Sequence, residues 1–467
     1  MGRDVLTALG ERRDEGHDPH RRHRPVRRRS PQGASAPRRR RRPQRGLAVP
    51  LLPVYEPWLR SQPFNSARHA AALRPFARTE FGTGIAAPSE GHIQAVNLII
   101  VRLRAELMKL NPPLRSASVA ATRTPNAANI RQMLVLKERA HRWVRDIERV
   151  WNFYFELFGQ RQGRYGEWLI GCDRIALDCY TAAFRGIATA RSIPAPPPFA
   201  FMNTGFSPST TRRGVLLSRI GRLPNPFPLV ELPYHRLVNP WTLGAVLHEV
   251  SHNLQNDLGL DRAVPAGIAR RLSERGHPES VIRMWTAWNR ETFADLSGLL
   301  LGGPAIVASL MDVIGRSQRA TYFFNPAGVH PTPYLRTLIS VELLRRMGFG
   351  AQAERFDHAW RRLYPDPRGA IPREVLRTFP SSCRDVVDLI CFSPYKSLGD
   401  RSLSDVYQFE AKDQLMIEEA AQRLAAGTDP GVVPARFLIG AARVAIDRRL
   451  ARPGVIHKNF YVELARR

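Results

Sequence analysis

His248, Glu249 and His252 lie in the run His-Glu-Val-Ser-His, with the two imidazoles four residues apart. On a helix that spacing puts both rings on one face, within reach of a single ion, and sets Glu249 beside that ion to take a proton from a bound water. A tetrahedral zinc that keeps one position for water needs a third protein ligand. The run Glu291-Thr-Phe-Ala-Asp295 offers Glu291 for that role, with Asp295 on the same helical face. Asp295 can accept the outer N–H of a ligating imidazole, which fixes the tautomer and raises the ring's basicity. The chemistry open to such a set is hydrolysis by a metal-activated water with a glutamate as general base.

A chain of this length shows the pentapeptide by accident about 2% of the time, so the helix that must carry it matters as much as the motif. Over 241–258, Leu243, Val246, Leu247, Val250, Leu254 and Leu258 form one apolar stripe, and both histidines point to the opposite side. Gly244 and Ala245 on the ligand side are small enough to admit another element. A second helix is expected over 278–301, where Ala287 and Gly298 flank Glu291 and let the two helices approach. The competing readings are an ordinary solvated face for the histidines and an acidic surface pair for Glu291 and Asp295.

These two motifs resemble those of the gluzincin metallopeptidases, in which the His-Glu-x-x-His helix is followed by a helix carrying a Glu ligand, commonly as Glu-x-x-Ala-Asp. The run His330-Pro331-Thr-Pro-Tyr-Leu-Arg336 is similar to the His-Pro followed by Arg of the branch that contains the CAAX prenyl proteases. The resemblance covers about 228–347 and implies one Zn2+ on His248, His252 and Glu291, with Glu249 catalytic. It further implies that His330 contacts the substrate or an oxyanion and that Arg336 anchors the acidic groups behind the metal. Tyr334 enters as a weaker, substrate-binding donor. The expected activity is that of a zinc metallopeptidase acting on a peptide or protein.

The fold expected to position these residues is mainly α (α+β), a zincin-like core with a small, short-stranded sheet and extensive helical flanks. The divisions read from composition are a tail over 1–46, an extended arm over 47–88, a helical region over 89–192, a core over 193–349 and a C-terminal helical region over 350–467. Helices are expected over 89–110, 127–158, 165–189, 304–315, 333–347, 350–363, 407–426 and 434–450. Residues 229–237 read as the main strand, with 215–218 as a second candidate before it; with prolines at 226, 228 and 233 the former is expected at a sheet edge, where it would receive an extended peptide.

The net charge of +29 is concentrated in part at one end, since residues 1–45 hold 15 Arg against 5 acidic residues. That tail has too few apolar residues to offset the entropy of ordering and is expected to be disordered. No basic motif interleaved with aromatics occurs in the body, so nucleic acid is not the expected partner; a regulatory protein is open. Four cysteines without Cys-x-x-Cys spacing read as core thiols in a reducing cytoplasm, and no apolar segment follows the N-terminal charges as a secretory signal requires. The apolar window 296–315 contains Gly302-Gly303-Pro304 and Asp312, and reads as a buried helix and a break, not a membrane span. The rivals to an enzyme are a catalytically inactive zincin-like scaffold and a basic nucleic-acid-associated protein.

Overall fold

The computed structural model describes residues 55–467, and the tail expected to be disordered lies outside the described residues. Five short strands occur among them: β1 (Phe199–Asn203), β2 (Ser209–Thr211), β3 (Leu216–Leu217), β4 (Leu223–Pro224) and β5 (Leu229–Pro233). β5 is central in the order β1-β5-β2, parallel to β1 and antiparallel to β2, while β3 and β4 form a separate ribbon. Side-chain alternation places the sheet between two apolar clusters. Phe199, Phe201 and Leu229 pack with Ile93, Val96 and Tyr154 of the N-terminal helices, whereas Ala200, Val230 and Leu232 face the main core.

Two expectations change here. The 229–237 segment is a central strand, not an edge, and ends at Pro233, with Tyr234–Leu237 turning into a short helix. Pro228 and Pro233 bracket the ladder instead of interrupting it, so neither removes a donor from its middle. The arm expected over 47–88 contains the 18-residue helix Tyr55–Ala72, with Pro63 inside it. Pro112 and Pro113, just past the helix expected over 89–110, lie in the first turn of the next helix, Asn111–Arg123, where a proline costs no intrahelical hydrogen bond.

The rest is helical, so the fold is mainly α with a small sheet. Helices Glu90–Lys109, Ala127–Gly159 and Gly166–Gly186 lie close to their expected bounds, while 407–426 divides into Leu403–Tyr407 and Ala411–Ala426. The last helix, Pro453–Arg466, packs on Gly166–Gly186, and its Tyr461 hydroxyl donates to Leu237 O at 2.7 Å. The apolar window 296–315 does break: one helix ends at Gly302 and the next begins at Ala305. Gly303 between them has φ 72°, and a Cβ there would collide with the Phe409 ring. No helix among the described residues is long and apolar enough to cross a membrane. All four cysteines are free and buried, and burial pushes their thiols up.

Candidate metal centre

Four helices build the site, named here by what they bring: the motif helix (Gly244–Asp257), the acidic helix (Glu279–Gly302), the wall helix (Ala305–Ile314) and the arginine helix (Pro333–Arg346). The motif helix buries Val246, Leu247, Val250 and Leu254 in the main core and turns His248 and His252 to the other side. Close approach follows from small residues. A Cβ on Gly244 would stand 2.7 Å from the Cβ of Ser309, so only glycine lets the wall helix cross there. A Cβ on Gly298 would lie 3.5 Å from His248 N, in ordinary contact, as the acidic helix runs along the motif helix. Ala287, expected to share in this approach, is exposed.

The three expected ligands converge. His248 Nε2 and His252 Nε2 are 3.2 Å apart, and Glu291 Oε2 and Oε1 lie 3.4 Å from them respectively. Ligands at the usual zinc distances of about 2.0–2.2 Å stand about 3.3–3.6 Å apart along the edges of a tetrahedron, so these atoms fit a zinc ion with little movement. The two imidazole nitrogens also face each other beside a carboxylate, where either a proton on one ring or a cation shared between them keeps their lone pairs from opposing.

Behind the ligands, His248 Nδ1 lies 2.8 Å from Asp295 Oδ1, although the ring N–H does not point straight at that oxygen. Asp295 is gripped by Arg336, which donates from Nε to Oδ2 at 2.7 Å and from Nη2 to Oδ1 at 2.8 Å. Arg336 Nη2 is also 3.6 Å from Glu291 Oε2, and His330 Nε2 is 3.5 Å from that same oxygen. Asp295, His330 and Arg336 therefore sit where the sequence expected them. Tyr334 does not: it is buried away from the cleft with its ring against Tyr322. Two residues of helix separate it from Arg336, a rotation of about 200°, so a helix that aims Arg336 at the metal centre aims Tyr334 into the core.

The charges are strongly coupled. Burial disfavours the imidazolium of His248, but the carboxylates of Asp295 and Glu291 outweigh it and raise the group to about 10. Burial pushes the Glu249 carboxyl up to about 7 and lowers His252. For Glu291 burial is opposed by both imidazoles, and for Asp295 by Arg336; both carboxyls are held below their ordinary range.

Comparison of the chain with protein-family models, with curated proteins and with solved structures gave no match.

The centre lies in a cleft of about 720 Å³, of a size suited to a side chain or a short peptide segment. Sequence reasoning missed several of its residues. β2 is an edge of the sheet and lines the cleft, taking the place expected of 229–237. Asn253, one residue past His252, donates from Nδ2 to Thr210 Oγ1 at 2.8 Å and to Glu249 O at 3.1 Å, tying β2 to the motif helix. A buried amide on a helix face next to the ligands was the available signal. Arg212, Arg290 and Arg316 also line the cleft, and nothing in their local sequence sets them apart from the many other arginines.

Proposed function

We propose that the protein is a zinc-dependent metallopeptidase of the gluzincin type, with a zincin-like core, in which His248, His252 and Glu291 hold one Zn2+ and Glu249 is the general base. The observation that carries this reading is the convergence of His248, His252 and Glu291, the two imidazole nitrogens 3.2 Å apart and each 3.4 Å from one of the two carboxylate oxygens, beside the buried Glu249 in an open cleft. A zinc held there supplies an acidified water and polarises the carbonyl under attack. Glu249 takes the water's proton on its carboxylate and delivers it to the leaving amine; burial, which raises its proton affinity, suits that double duty. Arg336 holds Asp295, and through it the His248 ring, in place before substrate arrives. The largely exposed His330 at the mouth supplies a donor for the substrate oxygen, and β2 offers its free edge to an extended peptide. The four reduced thiols support a cytoplasmic location.

Glu249 is buried and burial raises its carboxyl, a cost that a purely structural zinc site has no reason to carry. The test is zinc content by elemental analysis of wild type, Glu249→Gln and Glu291→Ala, beside cleavage of casein and a peptide library. One zinc per chain in wild type and Glu249→Gln, less in Glu291→Ala, and a fall in cleavage of roughly 10²–10⁴-fold in Glu249→Gln are expected. Wild type that carries no zinc after metal-replete purification would sink the assignment. Zinc without cleavage would favour the inactive scaffold.

A further inference from the structure

Apart from the carboxylates of the candidate metal centre, the charged side chains that line the cleft are arginines. Residues 206–212 line it without a gap, with Phe206 at one end, β2 in the middle and Arg212 at the other. Within that run only β2 is extended strand; residues 206–207 bend before it, and Arg212 follows it directly. At the Phe206 end, the guanidinium carbons of Arg316 and Arg236 lie 4.4 Å and 5.2 Å from the centre of the Phe206 ring. At the other end, Arg212 and Arg290 both line the cleft; burial first, and then the charge of Arg290, weaken the hold of Arg212 on its proton.

Among the described residues, no carboxylate lies within 4.0 Å of the guanidinium of Arg212, Arg290 or Arg316. The acidic groups that line the cleft are Glu249, Glu291 and Asp295, all of them in the metal centre. The acids at longer range are engaged in part elsewhere: Asp257 accepts from the Tyr180 hydroxyl at 2.7 Å, and Asp312 pairs with Arg443. Asp261 acts on Arg212 from a distance. Arginines without an ion-pair partner among the described residues therefore flank the segment 206–212, whose strand β2 is tied to the motif helix.

Resting on the peptidase reading above, we propose that the cleft selects acidic peptides, with Asp or Glu side chains on both sides of the scissile bond. A chain laid along β2 with its reacting amide over Glu249 carries its flanking side chains toward Arg212 and Arg290 past one end of the strand and toward Phe206 and Arg316 past the other. The free strand edge favours a polypeptide over a nucleic acid, because it offers main-chain donors and acceptors in register with an extended chain.

The experiment uses three fluorescent peptides that share a central apolar pair and carry acidic, neutral or basic flanks. Cleavage is read with zinc-loaded wild type and binding by anisotropy with zinc-loaded Glu249→Gln, at about 50 mM and about 300 mM salt. The acidic peptide should be bound and cleaved roughly 10-fold better than the neutral one at the lower salt, the basic one worst. High salt should shrink that advantage, and Arg290→Glu combined with Arg316→Glu should reverse the order while zinc content stays at one per chain. Equal cleavage of all three peptides overturns the proposal and leaves the peptidase intact. Binding of a single-stranded oligonucleotide as tightly as the acidic peptide marks a general polyanion surface and also overturns it. If wild type cleaves none of the peptides and Glu249→Gln binds none, the peptidase reading falls and takes the proposal with it.

Discussion

Arg336 and Arg290 line the same cleft, yet Arg336 is sealed with 12% of its side chain exposed while Arg290 stands in solvent. Arg336 lies on Asp295 and within reach of Glu291, and those acids hold the two histidines. Arg290 has no carboxylate beside it among the described residues. The inner set resembles a finished framework: its charges are balanced against one another, so its geometry is held before any substrate arrives. The outer set makes no ion pair among the described residues, and in the proposal above its charge is assigned to a substrate. On that proposal, position and selection fall to different arginines.

The strongest way to break this contrast is Arg336→Met, which strands Asp295 in a buried site without its counter-charge. Urea unfolding should show a loss of about 3–5 kcal/mol, and zinc affinity should fall about 10–100-fold. Combining it with Asp295→Leu should recover part of the stability but not the affinity; a double variant as unstable as the sum would show that the two do not act as a pair.

The pH response sharpens the same contrast in metal-free protein. His248 is raised to about 10, so its contribution is complete below its ordinary value and is lost as pH rises through the folded one. Glu249, raised to about 7, acts in the same direction over a lower window, because the unfolded chain releases that proton first. Glu291 and Asp295 are lowered and act oppositely, losing their contribution in acid. His252, lowered by burial, gains stability as pH rises to its ordinary value and so offsets Glu249 at the acid end; the urea midpoint of chelator-treated protein should therefore decline from about pH 7 to pH 9, and zinc affinity should rise over that range as His248 gives up its proton. A midpoint that climbs toward pH 9 would contradict the buried network.

Smaller effects are expected from packing and from the rim. Gly244→Ala must push Ser309 and the wall helix away and should cost about 1–3 kcal/mol, whereas Gly298→Ala meets only ordinary contacts and should stay within about 1 kcal/mol. Arg290→Ala should leave the urea midpoint unchanged within about 0.5 kcal/mol, the counterpart of Arg336→Met.

The convergence of the candidate ligands was legible in the sequence because each half of it is local. His248 with His252, and Glu291 with Asp295, are i, i+4 pairs whose helical geometry can be worked out without tertiary information. The mainly helical fold was legible for a similar reason, from apolar periodicity in segments such as Glu90–Lys109 and Ala127–Gly159. The spacing of Ile456, Phe460 and Leu464 after Pro453 carried a comparable signal for the last helix, which was overlooked. β2 was not legible: Ser209–Thr211 has no apolar alternation, and only pairing with β5 makes it a strand. Tyr334 was misplaced because its role came from a motif, whereas its direction is set by the helical phase of Arg336. The rim arginines were hidden by number, since a chain this rich in arginine does not reveal which ones lack a partner.

The single amide nitrogen of Asn253 reaches both Thr210 on β2 and the backbone oxygen of Glu249. The strand that would guide a substrate and the residue that would act on it therefore share one anchor, and their spacing behaves as a fixed gauge. Any widening of the cleft is expected to come from the opposite bank, where the wall helix and the His330 loop carry no such tie to β2. An inhibitor that wedges that bank apart would leave the gauge unaltered, while one that displaces Asn253 would detach the guide from the catalyst.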